Sequence, residues 1–229
     1  MRLFHHPMSA PARFIRLLLS EHGVEFDLVV EQTWRRRKEF VAMNPANSVP
    51  VLLAEAGVPV IGAIPIAEYL DETRGPMMRA ARLLPDYPLE RAEVRRLVEW
   101  FTGRLDADVC RALVRERVSK LEQAAEGGGG APDSAVLRAA RANAKQHLNY
   151  LNWLTQTRNW LAGSNISIAD FSAAASLSVL DYMGEVVWNE LPAAKDWYAR
   201  VKSRPSFRPL LADRVRGLPP VSHYADLDF

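Results

Sequence analysis

The stretch Val49–Leu70, VPVLLAEAGVPVIGAIPIAEYL, restricts the fold more than any other part of the chain. Two apolar runs, Val51–Ala54 and Val58–Ile61, flank a turn at Glu55–Gly57. Runs this short, bounded by Pro50 and split by Gly57, predict two strands. Gly62-Ala63 then leads into Ile66–Leu70, which reads as a helix. Pro65 fits the first turn of that helix, where its missing N–H costs little. The stretch is therefore a β-β-α unit.

The residues before it extend the pattern. Arg2–His6 is β-prone and Pro7 ends it. Ser9–Gly23 reads as a helix with Phe14, Leu17 and Leu18 on one face and Gly23 as its stop. Phe26–Glu31 is a second strand. Thr33 is placed to cap a helix from Trp34 to about Met43, which Asn44-Pro45 breaks. The order is β-α-β-α-β-β-α. Gly75–Pro88, with Pro76, Pro85 and Pro88, reads as a connector.

From Leu89 the periodicity is helical throughout. Val94, Leu97, Val98, Phe101, Leu105 and Val109 form one apolar stripe on a helix reaching about Ala125. Gly127–Gly130 reverses the chain. Asp133 or Ser134 caps the next helix, which buries Leu137, Ala140, Ala144, Leu148 and Leu151. Ser167 and Asp170 have capping-box spacing, and the helix behind them, to Tyr182, is apolar all round and predicted to be central. Pro192 starts a last helix, ended by Pro205, and Asp213–Phe229 remains as a tail.

Composition narrows the function classes. With 29 basic and 27 acidic residues the net charge is +2, which gives no argument for nucleic acid. The single cysteine, Cys110, excludes an intramolecular disulfide and fits a reducing compartment. The start MRLFHHPMS has no apolar region of a signal peptide, and Leu17–Leu19 is too short to span a bilayer. The five histidines have no metal-ligand spacing. A cytoplasmic protein without membrane insertion, metal or nucleic acid is the expectation.

Five motifs in this order resemble the glutathione transferase family over about residues 1–212. Ser9-Ala10-Pro11-Ala12-Arg13 is similar to the start of helix one in serine-type members. Asn44-Pro45 with Val49-Pro50 is similar to the loop that holds the family's cis-proline. Ile66–Leu70 is similar to its third helix. Leu161-Ala162-Gly163 before Ser167-Ile168-Ala169-Asp170 is similar to the capping motif of its C-terminal domain. Tyr198-Ala199-Arg200 with Arg204–Phe207 is similar to its last helix. The fold implied is an α/β thioredoxin-like domain (1–76), a linker (77–87), an all-α domain (88–212) and a tail (213–229). Pro50, Ser167 and Asp170 are its structural residues, and a homodimer is implied.

The family's chemistry needs a hydroxyl to stabilise the glutathione thiolate, backbone beside the cis-proline, and an acid-serine pair at the start of helix three for the γ-glutamyl group. Ser9 and Val49-Pro50 match the first two. Counting back from Ile66, the acid and serine fall on Gly62 and Ala63, so the third is missing. Each lost charge-assisted bond costs about 1.5–3 kcal/mol. Losing two weakens binding by on the order of a hundredfold. Ser9 is then better read as an inherited helix cap than as a catalytic group, and no cofactor is expected. If the transferase reading holds instead, Ser9 activates glutathione.

In detail the chain resembles the bacterial FtsZ-binding, glutathione-transferase-like division proteins. The resemblance lies in Met1–Pro11, Glu31–Pro50, the Gly62-Ala63 departure and the Leu227-Asp228-Phe229 ending. It implies a non-catalytic partner of FtsZ filaments, and of other division proteins, that acts at the division site and helps activate septal wall synthesis. Trp34-Arg35-Arg36-Arg37-Lys38 has the composition of an interface hot spot for an acidic partner. Equally it fits a solvated basic helix face. Tyr224, Leu227, Asp228 and Phe229 are the second candidate surface, expected either to fold over the groove or to bind a protein as a linear motif.

Overall fold

The computed structural model describes residues 1–227. Four strands form one sheet: β1 (Arg2–His5), β2 (Asp27–Val30), β3 (Val51–Leu53) and β4 (Pro59–Ile61), in the order β2-β1-β3-β4. β1 and β2 are parallel and the other two pairings antiparallel. Leu3 sits between Leu28 and Leu52, and Leu3 and Leu52 are fully buried. Three helices accompany the sheet: α1 (Ala10–Glu21), α2 (Lys38–Met43) and α3 (Ala63–Met78). The parallel β1-α1-β2 crossover and the β3-β4 hairpin are the expected thioredoxin-like arrangement.

The remainder is helical. A single rod over 88–124 contains α4 (Pro88–Glu99), α5 (Arg111–Val114) and α6 (Lys120–Ala124). They are joined by widened, π-helical turns at Trp100–Cys110 and Arg115–Ser119. After the glycine loop come α7 (Ser134–Thr157), α8 (Ile168–Tyr182), α9 (Pro192–Lys202) and the short α10 (Arg208–Leu211). Asp133 caps α7 by accepting from the N–H groups of Ala135 and Val136. Every residue of α8 is buried, as its all-round apolar pattern predicts. Small residues all round it, Ala173, Ala174 and Ala175 among them, suit close packing by α1 and the rod, and one core runs through both parts of the molecule.

Two local expectations fail for traceable reasons. α3 does not stop at Gly75 but continues through Pro76 to Met78, past the expected boundary at 76. The buried Asp71 accepts two hydrogen bonds from Arg82, at 3.0 and 2.6 Å. A Cβ on Gly75 would stand 2.7 Å from Asp71 Oδ1. Gly75 is thus needed for the ion pair to close over the helix end rather than to break the helix. The predicted 34–43 helix is also divided, into a 3-10 turn at Thr33–Arg35 and α2, with Arg36 between them at φ 48°. Thr33 makes no side-chain cap.

Helix-to-helix ties include Glu93 of α4, which accepts from Arg96 and from Arg158 at the end of α7. The Arg96 bond, against burial and with help from Arg158, lowers the Glu93 carboxyl to about 2. Because the folded value lies below the ordinary one, the pair stabilises the fold above pH about 4.5 and loses that effect as pH falls through about 2. Glu93→Gln is expected to cost about 1 kcal/mol at pH 7, since the pair is partly solvated. In acid titrations followed by circular dichroism the difference from wild type should shrink below pH about 4 and vanish near 2.

Candidate functional site: an interdomain groove

Between the sheet's α1–α2 side and the rod lies a groove of about 750 Å³. Its floor is the turn before α1. Ser9, half-buried, is the N-cap of α1 and accepts from the Ala12 N–H at 3.3 Å. The Val49–Pro50 peptide beside it is cis. The facing wall comes from the rod: Asp106, Arg115 and Ser119 from its widened turns and Arg111 from α5. Widened turns rotate side chains out of ordinary helical register, and here they carry half of the rod residues on that wall.

His6 shares the groove with Ser9 but cannot serve it as a base. Its Nδ1 accepts from the Met8 N–H at 3.2 Å, which leaves the neutral ring's proton on Nε2. Nε2 donates to Glu122 at 3.2 Å. Both nitrogens are occupied. His5 is buried too, and burial, with Arg16 adding to it, holds its imidazole down at about 4, so it is uncharged at neutral pH. Cys110 is fully buried, and burial pushes its thiol well above its usual range, which removes it as a nucleophile. Among the described residues no cluster of His, Cys, Asp and Glu is placed to hold a metal ion. No helix among them is long and apolar enough to cross a membrane.

Gly62 and Ala63 start α3, as the count from Ile66 requires. Gly62 is the N-cap at φ 92° and has no side-chain cap. Its N–H donates to the Pro50 carbonyl at 3.1 Å. Ala63 offers a methyl group, and Pro65 lacks an N–H in the same turn. No carboxylate or hydroxyl at these two positions is available for an ammonium or a carboxylate.

The basic run does not form one patch. Arg37 turns back to the buried Glu31, with Nε 3.1 Å from Oε2. That reach, together with an Asn47 hydrogen bond of 2.6 Å to the Thr33 carbonyl, is what divides the expected helix. Arg35 pairs with Glu126 in the turn just after the rod. Trp34 is half-buried in the groove wall rather than exposed, edge-on to His6 at 6.1 Å. Its indole nitrogen is buried without a hydrogen-bond partner. Arg36 and Lys38 remain exposed. Arg36 lines the groove on this wall and Arg115 on the other, and neither guanidinium makes an ion pair or hydrogen bond among the described residues.

Burial pushes the Asp106 carboxyl above its ordinary range, against the pull of Arg111. Glu31 is taken up by Arg37. The groove therefore presents two unengaged guanidiniums and few free anions. Such a surface favours negative charge. Asp106, Arg111, Arg115 and Glu122 carried no local signal in the sequence beyond belonging to the rod.

The tail folds back, but not over the groove. Tyr224 is fully buried, edge-on to Tyr182 at 5.1 Å, and its hydroxyl accepts from Arg13 at 3.0 Å. It is a core residue and offers no surface to a partner. Burying the ring and satisfying its hydroxyl accounts for an aromatic at this position. Leu227 is exposed. Asp228 and Phe229 lie outside the described residues.

A family model described as glutathione S-transferase, N-terminal domain, matches residues 8–73, and one for the C-terminal domain matches 76–205. FtsZ-localized protein A of Caulobacter vibrioides (strain NA1000 / CB15N) is 42% identical over 99% of this chain and 97% of its own length. The solved structure of FzlA from C. crescentus superposes with a TM-score of 0.89 at 42% identity, covering 100% of this chain and 99% of that one. A crystallised glutathione S-transferase from Sinorhizobium meliloti 1021 is 56% identical, with a TM-score of 0.97 and coverage of 100% and 99%. With family models over both parts and a relative this similar along its whole length, the chain belongs to the glutathione S-transferase family.

Proposed function

We propose that this chain is a non-catalytic member of the family that binds FtsZ filaments and regulates bacterial cell division and septal wall synthesis. The observation that carries the reading is the bare start of α3, where Gly62 and Ala63 leave no side chain for the γ-glutamyl end of glutathione. Its similarity to FtsZ-localized protein A over nearly the whole chain supports the choice of partner. The protein acts in the cytoplasm at the division site, as a homodimer. Its contact surface is the groove rim of Trp34, Arg36 and Lys38, the members of the basic run not consumed by internal ion pairs. Leu227, Asp228 and Phe229 form a second contact with the division machinery.

Trp34→Ala and Arg36→Ala are each expected to weaken co-sedimentation with FtsZ filaments about tenfold, the effect of an interface anchor. Arg37→Ala acts through the fold of the turn instead, because it strands the buried Glu31. Wild-type binding by both groove variants removes the rim from the proposal.

A second reading, an active serine-type transferase, draws on the Ser9 hydroxyl beside the cis Val49–Pro50 peptide. Calorimetry separates the two. The proposal expects no saturable heat with glutathione up to about 1 mM. Micromolar binding, with conjugation of an electrophile that Ser9→Ala abolishes, establishes the second reading instead.

A further inference from the structure

The end of the rod touches two regions that are distant in sequence. On one side, Glu122 and Glu126 pair with His6 and Arg35 and so clamp the groove's N-terminal wall to the helix. On the other, Leu121 packs on Gly217 in the tail. Gly217 has φ +78°, and a Cβ there would stand 3.1 Å from Leu121 Cδ2. Only a glycine meets both the backbone conformation and the close approach without cost.

The tail turn is firmly seated. Val215 and Leu218 form an isolated antiparallel bridge around it. The Val215 N–H donates to the Tyr182 hydroxyl at 2.9 Å, and that hydroxyl donates to the Leu218 carbonyl at 2.8 Å. Just upstream, Asp213 accepts from Arg16 at 2.7 and 3.0 Å and from Arg13 at 3.4 Å. The turn is thus fixed to α8 and α1, the two most buried helices.

We infer that the 213–218 strap positions the end of the rod, and through it the His6–Glu122 and Arg35–Glu126 clamp, so that the tail and the groove are coupled. Leu121 and Glu122 are adjacent residues of one helical turn, and a displacement of the first carries the second. A partner that lifts the strap then loosens the groove wall. By linkage, a ligand that tightens the wall favours the seated strap by the same factor. The coupling goes beyond the FtsZ reading and does not depend on it.

Hydrogen exchange by mass spectrometry on the full chain tests it without any partner. Gly217→Val drives a side chain into Leu121; Leu121→Ala removes the contact from the helix side. Both are expected to accelerate amide exchange in 31–37 by about tenfold, with α9 unchanged. Glu122→Gln should accelerate 31–37 and, by the same linkage, 213–221 as well. The Glu122→Gln/Gly217→Val double variant should show no more acceleration at 31–37 than the larger single effect. Faster exchange of 213–221 in Leu121→Ala with 31–37 unchanged overturns the coupling, as do additive effects in the double variant.

Discussion

Replacing Asp170 by alanine is expected to lower the melting temperature by about 10 °C, the largest effect of any single substitution proposed. Asp170 is completely buried at the start of α8. Its carboxylate accepts from the Leu161 N–H at 3.0 Å, the Ser167 N–H at 2.9 Å, the Ser167 hydroxyl at 3.1 Å and the Trp197 indole N–H at 2.9 Å. One side chain thus completes the capping box, closes the 161–167 loop and fixes α9 against α8. Burial pushes its carboxyl up, while the four donated bonds pull it back. Alanine orphans several buried donors at about 1–3 kcal/mol each, giving a total of about 4 kcal/mol. Asparagine is a poor substitute, because all four partners are donors, two on each oxygen, and its NH₂ group must face two of them. Thermal unfolding by circular dichroism measures both variants, and an Asp170→Asn protein as stable as wild type contradicts this account of the loop.

The second large effect is expected at Arg13. Its guanidinium is fully buried, 2.6 Å from the Pro7 carbonyl, 2.8 Å from Ser178 Oγ and 3.0 Å from the Tyr224 hydroxyl. It joins α1 to α8 and to the tail in one step. Arg13→Met keeps much of the volume but leaves the Tyr224 hydroxyl and Asp213 short of a donor, costing about 3 kcal/mol. Lysine does not rescue it, since a single ammonium cannot address several separately placed acceptors as the planar fork does. Unlike Asp170→Ala, this change should release the tail before the rest. In limited proteolysis the first cuts are expected within 213–221, at protease levels that leave wild type intact. Loss of global stability without early tail cleavage contradicts the assigned role.

Tyr224 also marks the limit of what could be read from the chain alone. The capping box at Ser167–Asp170, the all-round apolar α8 and the β-β-α unit after Pro50 are written in neighbouring residues, so periodicity and turn chemistry reveal them. The bond from Arg13 to Tyr224 spans 211 positions and leaves no local trace. The same holds for Arg82 on Asp71, which carries α3 past Gly75 and Pro76, and for Arg37 on Glu31, which divides the helix expected after Thr33. In the last two a buried carboxylate recruits an arginine, and the backbone follows the ion pair rather than its own propensity. The candidate site was legible on one wall only. Ser9, Trp34 and Arg36 stand in identifiable motifs, whereas Asp106, Arg115 and Ser119 face the groove from the rod's widened turns.

On the proposed reading, the Gly62-Ala63 step is the feature that separates this groove from a glutathione site. Its neighbours keep the architecture: Gly62 still bonds to the Pro50 carbonyl and still starts α3. What is absent is charge, not shape. Co-sedimentation of the wild-type chain with GTP-polymerised FtsZ, in the presence of millimolar glutathione, tests the central proposal most directly. The chain is expected in the pellet, in an amount that saturates with FtsZ and does not change with glutathione. A chain that stays in the supernatant at every filament concentration, or that glutathione displaces, contradicts it.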